Sequence, residues 1–187
     1  MKQASFLPSL KLDHGGDLRK GKRKIARPFS HKHAVHLVLR SVKARGHWSL
    51  LTRANEHLVE KLLKACAAQY HIKVYRFVNV GNHLHLLIKT EAKQYVSAKR
   101  DFHAFLRQFA GAVAFQITGA KKASPKGGFW EKLAYSRIVS WGREYQGMKD
   151  YFTKNFLESK GLWWGKGDSW LRPILVSLRK AGVGPPS

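Results

Sequence analysis

Hydrophobic and polar residues along the chain follow two different periods. Four segments are β-branched or alternate between apolar and polar residues, as strands do; they are residues 33–42, 72–80, 83–89 and 135–139. Three segments place apolar residues three or four positions apart, as helices with one buried face do; they are residues 58–70, 101–118 and 143–159. The Gly81-Asn82 pair between the second and third strands predicts a short hairpin.

In chain order these segments are strand, helix, strand, strand, helix, strand and helix. The first six have the order of the ferredoxin-like split β-α-β fold, an α+β architecture with an antiparallel sheet. In that topology the first strand lies beside the third, and the helices cover one face of the sheet. We therefore predict a ferredoxin-like fold with an additional C-terminal helix, and a functional site on the open sheet face near that helix.

The two ends of the chain differ in composition from its middle. Residues 1–32 contain the basic run LRKGKRKIAR with Gly and Pro, and residues 163–187 mix Gly, Pro and isolated aromatic residues. These features predict a basic N-terminal arm over 1–32, one folded domain over 33–162 and a C-terminal tail over 163–187. A length of 187 residues leaves little room for a second full domain.

The charge of the chain is strongly positive. Lys and Arg number 35 against 11 Asp and Glu, which gives a formal net charge of +24. Because Lys and Arg release counterions when they neutralise phosphates, this charge favours a nucleic acid partner, with an anionic membrane surface as the alternative. With 44% hydrophobic and 12% aromatic residues, most of the chain has too much apolar material to be disordered.

Several other classes of protein do not fit the sequence. The single cysteine, Cys66, cannot form an internal disulfide, and its place in a helical stripe predicts that it packs in the core. The paired cysteines of structural zinc sites are absent. No apolar run approaches the roughly 20 residues of a membrane-spanning helix, and the N-terminal residues lack a signal-peptide pattern. We expect a soluble, intracellular protein with no membrane partner.

Two histidines in the third predicted strand are candidates for metal binding. Because side chains alternate along a strand, His83 and His85 point to the same face of the sheet. Two imidazoles on one face can bind one cation, although histidines that face solvent or DNA would show the same pattern. His36 on the first strand would neighbour this pair and is expected to line the same site.

The last predicted helix carries a second pair of candidate residues. Tyr151 and Asn155 are four positions apart, so they lie on one helix face, one turn from each other. Asn is unfavourable within helices because its amide competes for backbone hydrogen bonds, which suggests a role for this side chain. Periodicity alone favours a plainer interpretation, in which Tyr151 is a core aromatic residue beside Met148 and Phe152.

These residues stand in stretches that resemble a known family. The stretch GNHLHLLIK around the two histidines, followed by KDYFTKN around Tyr151, resembles the single-tyrosine HUH transposases, which comprise insertion-sequence and REP-associated tyrosine transposases. HUH denotes two histidines around a bulky hydrophobic residue, here Leu84. The resemblance covers most of the chain, with further stretches HGGDLRKGKRK, AVHLVLRS, FWEKLAYSRIVSW and NFLESKG.

The resemblance implies a role for four residues. His83 and His85 match the metal-binding histidines of the family, and Asn155 matches the Gln or Asn that completes the protein ligands. Tyr151 matches the nucleophile. Relatives often have Asn-Pro near the end of this helix, whereas Phe156 follows Asn155 here, a departure that concerns only the helix end. The implied cofactor is Mg²⁺ or Mn²⁺.

The activity that the resemblance implies is cleavage and rejoining of hairpin-associated single-stranded DNA. The tyrosine attacks a phosphate, forms a 5′-phosphotyrosine link and releases a 3′-hydroxyl, while the metal offsets charge on the phosphate. Such an enzyme is expected in the cytoplasm of a bacterial-type cell, associated with the nucleoid. The family includes dimers, but the short link between the fourth strand and the tyrosine helix favours a monomer.

Basic residues outside this set are expected to contact phosphates, and aromatic ones to stack on bases. The expected phosphate contacts are Arg19, Lys20, Lys22, Arg23, Lys24, Arg27, Arg40, Arg45, Lys121, Lys122 and Lys126. The candidates for stacking are Trp130, Trp141, Trp163 and Trp164, for which burial in the core is the alternative.

Two other functions stay open. A ferredoxin-like RNA-binding protein could cleave RNA without a metal, with histidines and a tyrosine acting on a 2′-hydroxyl. A DNA-binding module that has lost catalysis would also explain the positive charge, although the complete set of candidate catalytic and ligand residues argues against it.

Overall fold

The computed structural model describes residues 12–16, 25–120 and 128–162. Within them, the strands are β1 (Asp13–His14), β2 (Ala34–Arg40), β3 (Ile72–Asn79), β4 (His83–Thr90) and β5 (Tyr135–Val139). The helices are α1 (Arg53–Gln69), α2 (Tyr95–Thr118) and α3 (Arg143–Ser159), with a short 3-10 helix at Gly46–Trp48. None of these described helices combines the length and apolar composition that crossing a membrane requires.

The strands form one antiparallel sheet in the order β1-β5-β2-β4-β3. The run from β2 to β5, with α1 and α2 as its two helices, has the ferredoxin-like order, and β2 lies beside β4 as predicted. The predicted α+β fold is therefore confirmed. α3 follows β5 as the additional helix, and its bounds are those predicted from the sequence.

Helices α1 and α2 pack on one face of the sheet and form the main core with it. Leu37 of β2 and Leu86 of β4 are fully buried there, in the same cluster as Phe105 of α2 and Cys66 of α1. The predicted burial of Cys66 is confirmed, since only 4% of the residue is exposed. Burying each large apolar side chain contributes about 1.5–3 kcal/mol to stability, so this face supplies most of the hydrophobic stabilisation.

Helix α3 lies across the opposite face of the sheet, mainly over β3. Its anchor is Phe152, which is fully buried in a second, smaller cluster with Ala34, Val78, Leu87 and Val139. The face that the sequence predicts to be open is therefore half covered. The part of it over β2 and β5 stays accessible beside α3.

Strand β1 lies within the segment predicted to be a basic arm. It pairs with Ser136 and Arg137 of β5 and so extends the sheet by one strand. Gly15 follows it with a φ of +85°, and a Cβ at this position would lie 2.1 Å from the carbonyl oxygen of Ala134, so only glycine fits. Two residues are too few for a hydrophobic period, so the sequence does not predict this strand. The domain boundaries at 32/33 and 162/163 stay predictions.

Helices α1 and α2 begin earlier than the hydrophobic pattern predicts. The hydroxyl of Thr52 caps α1 by accepting a hydrogen bond from the backbone N–H of Asn55 (3.3 Å). The first turn of α2 is exposed, with Val96 at 79% exposure, so no apolar stripe marks it.

Candidate active site

A cavity of about 560 Å³ opens on the α3 face of the sheet. Strands β2, β4 and β5 form its floor, and α3 and the segment before β5 form its sides. It is lined by Gly16, His36, Val38, Arg40, His83, His85, Glu131, Lys132, Leu133, Tyr135, Arg137, Met148 and Tyr151. The cavity thus joins candidate residues that the sequence places on three separate elements.

Strand alternation positions the paired histidines of β4. The rings of His83 and His85 both line the cavity, with 4.7 Å between their centroids. Leu84 and Leu86 point to the opposite face, where both are fully buried in the main core. The alternation that buries these leucines therefore turns both imidazoles toward the cavity.

A third imidazole, from His36 of β2, lies against the pair. Its Nε2 is 3.2 Å from Nδ1 of His85, and the two rings are nearly parallel, with an interplanar angle of 12°. Both residues are buried, with exposures of 6% and 3%. The structure therefore places His36 in the same site as the paired histidines.

Helix α3 brings Tyr151 to the mouth of the cavity. Its ring centroid lies 5.6 Å from that of His85 and 5.7 Å from that of His36. Phe152 is fully buried and fixes the rotation of α3, so Tyr151 is left 42% exposed. This position differs from that of a core aromatic residue, and an incoming substrate can reach the phenol.

Asn155 lies one turn beyond Tyr151 and does not line the cavity. Its amide nitrogen Nδ2 donates a hydrogen bond to the backbone carbonyl of Tyr151 (2.8 Å), and this hydrogen bond does not use Oδ1. The following residue, Phe156, lines a small surface cavity together with Asn79, and Asn79 pairs with Leu84 at the start of β4. The helix therefore carries Asn155 toward the His83 end of the site, although the side chain itself stays outside the cavity wall.

All three imidazoles are held in the neutral form. Burial lowers the pKa of His36 to about 4, and the Arg137 guanidinium lowers it further in the same direction. Burial, together with the neighbouring His36 and His83, lowers the pKa of His85 to about 3. Burial and Arg40 also lower the pKa of His83. Neutral imidazoles keep a lone pair, which is the form that binds a metal ion.

Arginines line the cavity and are held in place by carboxylates. Arg137 donates to Glu144, with Nη2 3.0 Å from Oε1, and lies 3.8 Å from the carboxylate of Asp13. Arg40 lies 3.3 Å from Glu131 and keeps a largely exposed side chain. Because each arginine pairs with a carboxylate, its guanidinium is held in one orientation. Both arginines line the space that an anionic substrate would enter.

A second tyrosine, Tyr135, lines the same cavity. Its ring centroid is 6.0 Å from that of His36. Burial raises its pKa, and the nearby Asp13 carboxylate raises it further. These influences favour the protonated phenol, whereas a nucleophile must lose its proton. Tyr145, near the start of α3, packs against Tyr75 and Trp141 and does not line the cavity.

The structure separates the predicted phosphate contacts into three groups. Arg40 lines the cavity. Arg27 is half-buried outside the cavity and donates a hydrogen bond to the hydroxyl of Ser136. Arg45 is exposed just before the 3-10 helix and also lies outside the cavity wall. Outside the described residues lie Arg19, Lys20, Lys22, Arg23, Lys24, Lys121, Lys122 and Lys126.

The tryptophans proposed for stacking also differ in position. Trp130 packs against the main core and donates its indole N–H to the carbonyl of Ala110 (2.8 Å), which is a structural role. Trp141 is 43% exposed at the start of α3. Trp163 and Trp164 lie outside the described residues.

The fit of a divalent cation can be judged from the unpaired atoms of the site. In the described part of the chain, no group of three or more His, Cys, Asp or Glu side chains is arranged to hold a metal ion. Nε2 of His85 is nevertheless buried and finds no hydrogen-bond partner among the described residues. Nδ1 of His83 is engaged with Oδ1 of Asn82 (2.6 Å), which leaves its Nε2 for another partner. Two imidazole nitrogens fit such a cation if an amide or phosphate oxygen completes its ligands.

Asn82 and Arg137 belong to this site but were not among the predicted residues. Asn82 directly precedes His83 in the sequence, so adjacency alone could have suggested it. Arg137 shares a strand face with Tyr135, but only the pairing of β5 with β2 shows that this face lies beside His36. That pairing is set by tertiary structure and has no local signal in the sequence.

Comparison with known proteins identifies the fold. No protein-family model matches the chain, and no curated protein is significantly similar to it. The structure of a REP-associated tyrosine transposase bound to a REP hairpin matches with a TM-score of 0.52 and 12% sequence identity, over 75% of this chain and 76% of that one. A crystal structure from Deinococcus radiodurans R1, provisionally described as a transposase, matches with a TM-score of 0.41 and 16% identity, over 71% of this chain and 97% of that one.

The second score is too low to establish a common fold, whereas the first supports one. That match agrees with the resemblance of the GNHLHLLIK and KDYFTKN stretches, which is independent of the coordinates. The chain therefore has the fold of a REP-associated tyrosine transposase.

Proposed function

We propose that this chain is a transposase-type endonuclease and strand transferase that cuts hairpin-associated single-stranded DNA. In this proposal Tyr151 is the nucleophile, and His83, His85 and Asn155 hold Mg²⁺ or Mn²⁺. The observation that supports it most is the position of Tyr151. Its ring is exposed at the cavity mouth, and its centroid lies 5.6 Å from that of the His85 ring. A phenol next to neutral imidazoles, in a cavity that also presents oriented arginines, is an arrangement that phosphoryl transfer through tyrosine needs.

In the proposed reaction the phenol oxygen of Tyr151 forms a bond to phosphorus, and the bond from phosphorus to the 3′-oxygen breaks. The phenol proton leaves and the 3′-oxygen gains a proton, so the products are a 5′-phosphotyrosine and a free 3′-hydroxyl. Because the new link is again a phosphodiester, attack by another 3′-hydroxyl reverses it without an external energy source.

The chain's own residues orient this reaction. Arg137, fixed by Glu144, and Arg40, fixed by Glu131, flank the space where a phosphate would lie. The bound cation would supply charge compensation at the phosphate. His83 and His85 would contribute ring nitrogens to it, and Oδ1 of Asn155 is not used by the hydrogen bond that Nδ2 makes.

The substrate class follows from charge and from the structural neighbour. A net charge of +24 favours an anionic partner, and the neighbour of the same fold is bound to a REP hairpin. Such an enzyme would act at the nucleoid of a bacterial-type cell. The histidines and the tyrosine of the site come from one chain, which supports a monomeric enzyme; light scattering of the protein with and without DNA measures its mass directly.

Trapping of a covalent adduct tests the proposal. The protein is incubated with end-labelled, hairpin-containing single-stranded DNA and Mn²⁺, and adducts are separated on a denaturing gel. We expect an adduct that EDTA and Tyr151→Phe both abolish, a loss on the order of 10³-fold or more. The matched control is Tyr135→Phe, which removes the other phenol of the cavity and should leave the adduct.

The remaining outcomes identify the alternative functions. Cleavage of RNA in the presence of EDTA would favour the metal-independent RNA enzyme. Tight binding of DNA without any adduct would favour a module that binds DNA without cutting it.

A further inference from the structure

Each histidine of the proposed metal pair has its Nδ1 occupied by a different neighbour. Nδ1 of His83 lies 2.6 Å from Oδ1 of Asn82, and Nδ1 of His85 lies 3.2 Å from Nε2 of His36. The histidines alone do not determine these contacts, because both neighbours lie outside the His-Leu-His motif. The contacts therefore contain information about which nitrogen of each ring carries the proton.

The contact with Asn82 determines the tautomer of His83. A carboxamide oxygen can only accept a hydrogen bond, so Nδ1 of His83 must donate and must carry the proton. In a neutral imidazole the other nitrogen, Nε2, then has the lone pair. Asn82 is held in place by its backbone, whose carbonyl accepts a hydrogen bond from the Ser41 N–H (2.8 Å).

The contact with His36 determines the tautomer of His85 if Nε2 of His85 is to bind a cation. One of the two facing nitrogens must donate, and Nε2 of His85 is buried with no partner in the part of the chain that the structure describes. If that Nε2 carried the proton, a buried donor would stay unpaired at a cost of about 1–3 kcal/mol, and it would repel a cation. If His85 instead donates from Nδ1 to His36, its Nε2 offers a lone pair.

His36 is rigid enough to act as such an acceptor. It lies on β2, which pairs with β4 on one side and β5 on the other, and its ring centroid is 5.4 Å from that of the buried Phe152. The residue is 6% exposed, so water does not compete for its Nε2. Its ring position is therefore fixed by packing before any metal ion arrives.

We propose that Asn82 and His36 are positioning residues, which hold His83 and His85 in the Nδ1–H tautomer so that both rings present Nε2 to one cation. This inference rests on the proposed metal site. It adds two residues that lie outside the His-Leu-His motif, and it assigns the atom by which each histidine binds. Removal of partners of this kind typically weakens metal binding by about 10–100-fold.

The tautomers can be measured without metal. Long-range ¹H–¹⁵N correlation spectra of the metal-free, histidine-labelled protein distinguish a protonated Nδ1 from a protonated Nε2. We expect Nδ1–H at both His83 and His85 in the wild type, and Nε2–H at His83 in Asn82→Ala. An Nε2–H form at both rings in the wild type would overturn the inference.

Mn²⁺ titration measures the consequence for the metal. Calorimetry or electron paramagnetic resonance should show binding weakened by about 10–100-fold in Asn82→Ala and His36→Phe. Asn82→Asp keeps an acceptor oxygen and should restore affinity, which a general loss of structure would not do. The control His57→Ala removes an exposed histidine on α1 and should change nothing.

The two proposals fail in different ways. Unchanged Mn²⁺ affinity in both Asn82→Ala and His36→Phe, with binding abolished in His83→Ala, would overturn the role of the positioning residues and leave the proposed function intact. If the wild type binds no Mn²⁺ while both rings show Nδ1–H, the orienting contacts stand and the proposed metal-dependent function falls.

Discussion

On the face of the sheet covered by α1 and α2, strands β2 and β4 present Leu37, Leu84 and Leu86, each fully buried against apolar helix residues. On the face crossed by α3, the same two strands present His36 and His85, which are buried as well but are polar. Burial of the leucines on the first face stabilises the fold, whereas burial of the imidazoles on the second face costs desolvation free energy. A fold tolerates such a cost where a site requires it, so the second face is where function should lie.

Truncation of a core aromatic residue and of the site tyrosine tests the difference in stability between the α1/α2 core and the cavity mouth. Phe105→Ala removes a fully buried ring from the α1/α2 face and should lower the free energy of unfolding by about 3–5 kcal/mol. Tyr151→Ala removes a ring that is 42% exposed on the other face and should cost about 1 kcal/mol or less. Urea denaturation of both variants measures this; equal losses would contradict the comparison.

Acid should weaken the fold through the imidazole face. The folded-state pKa values of His36 and His85, about 4 and about 3, lie below the ordinary value of 6.5. Between pH 6.5 and 4 the unfolded chain therefore binds more protons than the folded one, so stability is present above pH 6.5 and is lost as the pH falls.

The variant His36→Phe removes one of these titrating groups. We expect the urea midpoint of the wild type to fall further between pH 7.5 and pH 4.5 than that of the variant. The same fall in both proteins would assign the acid sensitivity to other groups, such as Glu144, whose pKa is lowered by its hydrogen bonds with Ser140 and Arg137.

A metal ion should stabilise the α3 face selectively. Mn²⁺ at about a hundred times its Kd should raise the free energy of unfolding by about 2.7 kcal/mol and the Tm by roughly 5–10 °C. His83→Ala should lose this increase, and the control His57→Ala should keep it. Thermal denaturation with and without EDTA measures the effect, and an equal increase in His83→Ala would place the metal elsewhere.

A smaller effect is expected for single arginines on the two faces. Arg40→Gln should reduce the slope of log affinity against log salt concentration by about 0.7 for single-stranded DNA, the amount expected for one phosphate contact. Arg107→Gln removes an equal charge from the exposed surface of α2 and should leave the slope unchanged. Fluorescence anisotropy at several salt concentrations distinguishes the two; equal reductions would show that DNA does not prefer the cavity face.

The fold could be predicted because periodicity records which residues face a core. Leu84 and Leu86, which alternate with the histidines of β4, mark a strand, and Phe102, Phe105 and Phe109 mark the buried face of α2. The start of α2 and the two-residue strand β1 escaped prediction, because an exposed first turn and a short strand bury too few residues to show a period.

The candidate site could be predicted only in part, for a different physical reason. Alternation places His83 and His85 on one face, and the order of the elements places His36 nearby. The inward position of Arg137 and Tyr135 depends on the register between β5 and β2, and the contact of Asn82 depends on a side-chain rotamer. Neither quantity has a local signature along the chain.

The most direct test of the central claim is to identify the residue that carries DNA after the adduct is trapped. Trypsin releases Tyr151 in the peptide of residues 150–154 and Tyr135 in the peptide of residues 133–137, so mass spectrometry distinguishes the two phenols. We predict a nucleotide-bearing peptide 150–154. A modified peptide 133–137 with an unmodified peptide 150–154, or no modified peptide from an active protein, would contradict the assignment of Tyr151 as the nucleophile.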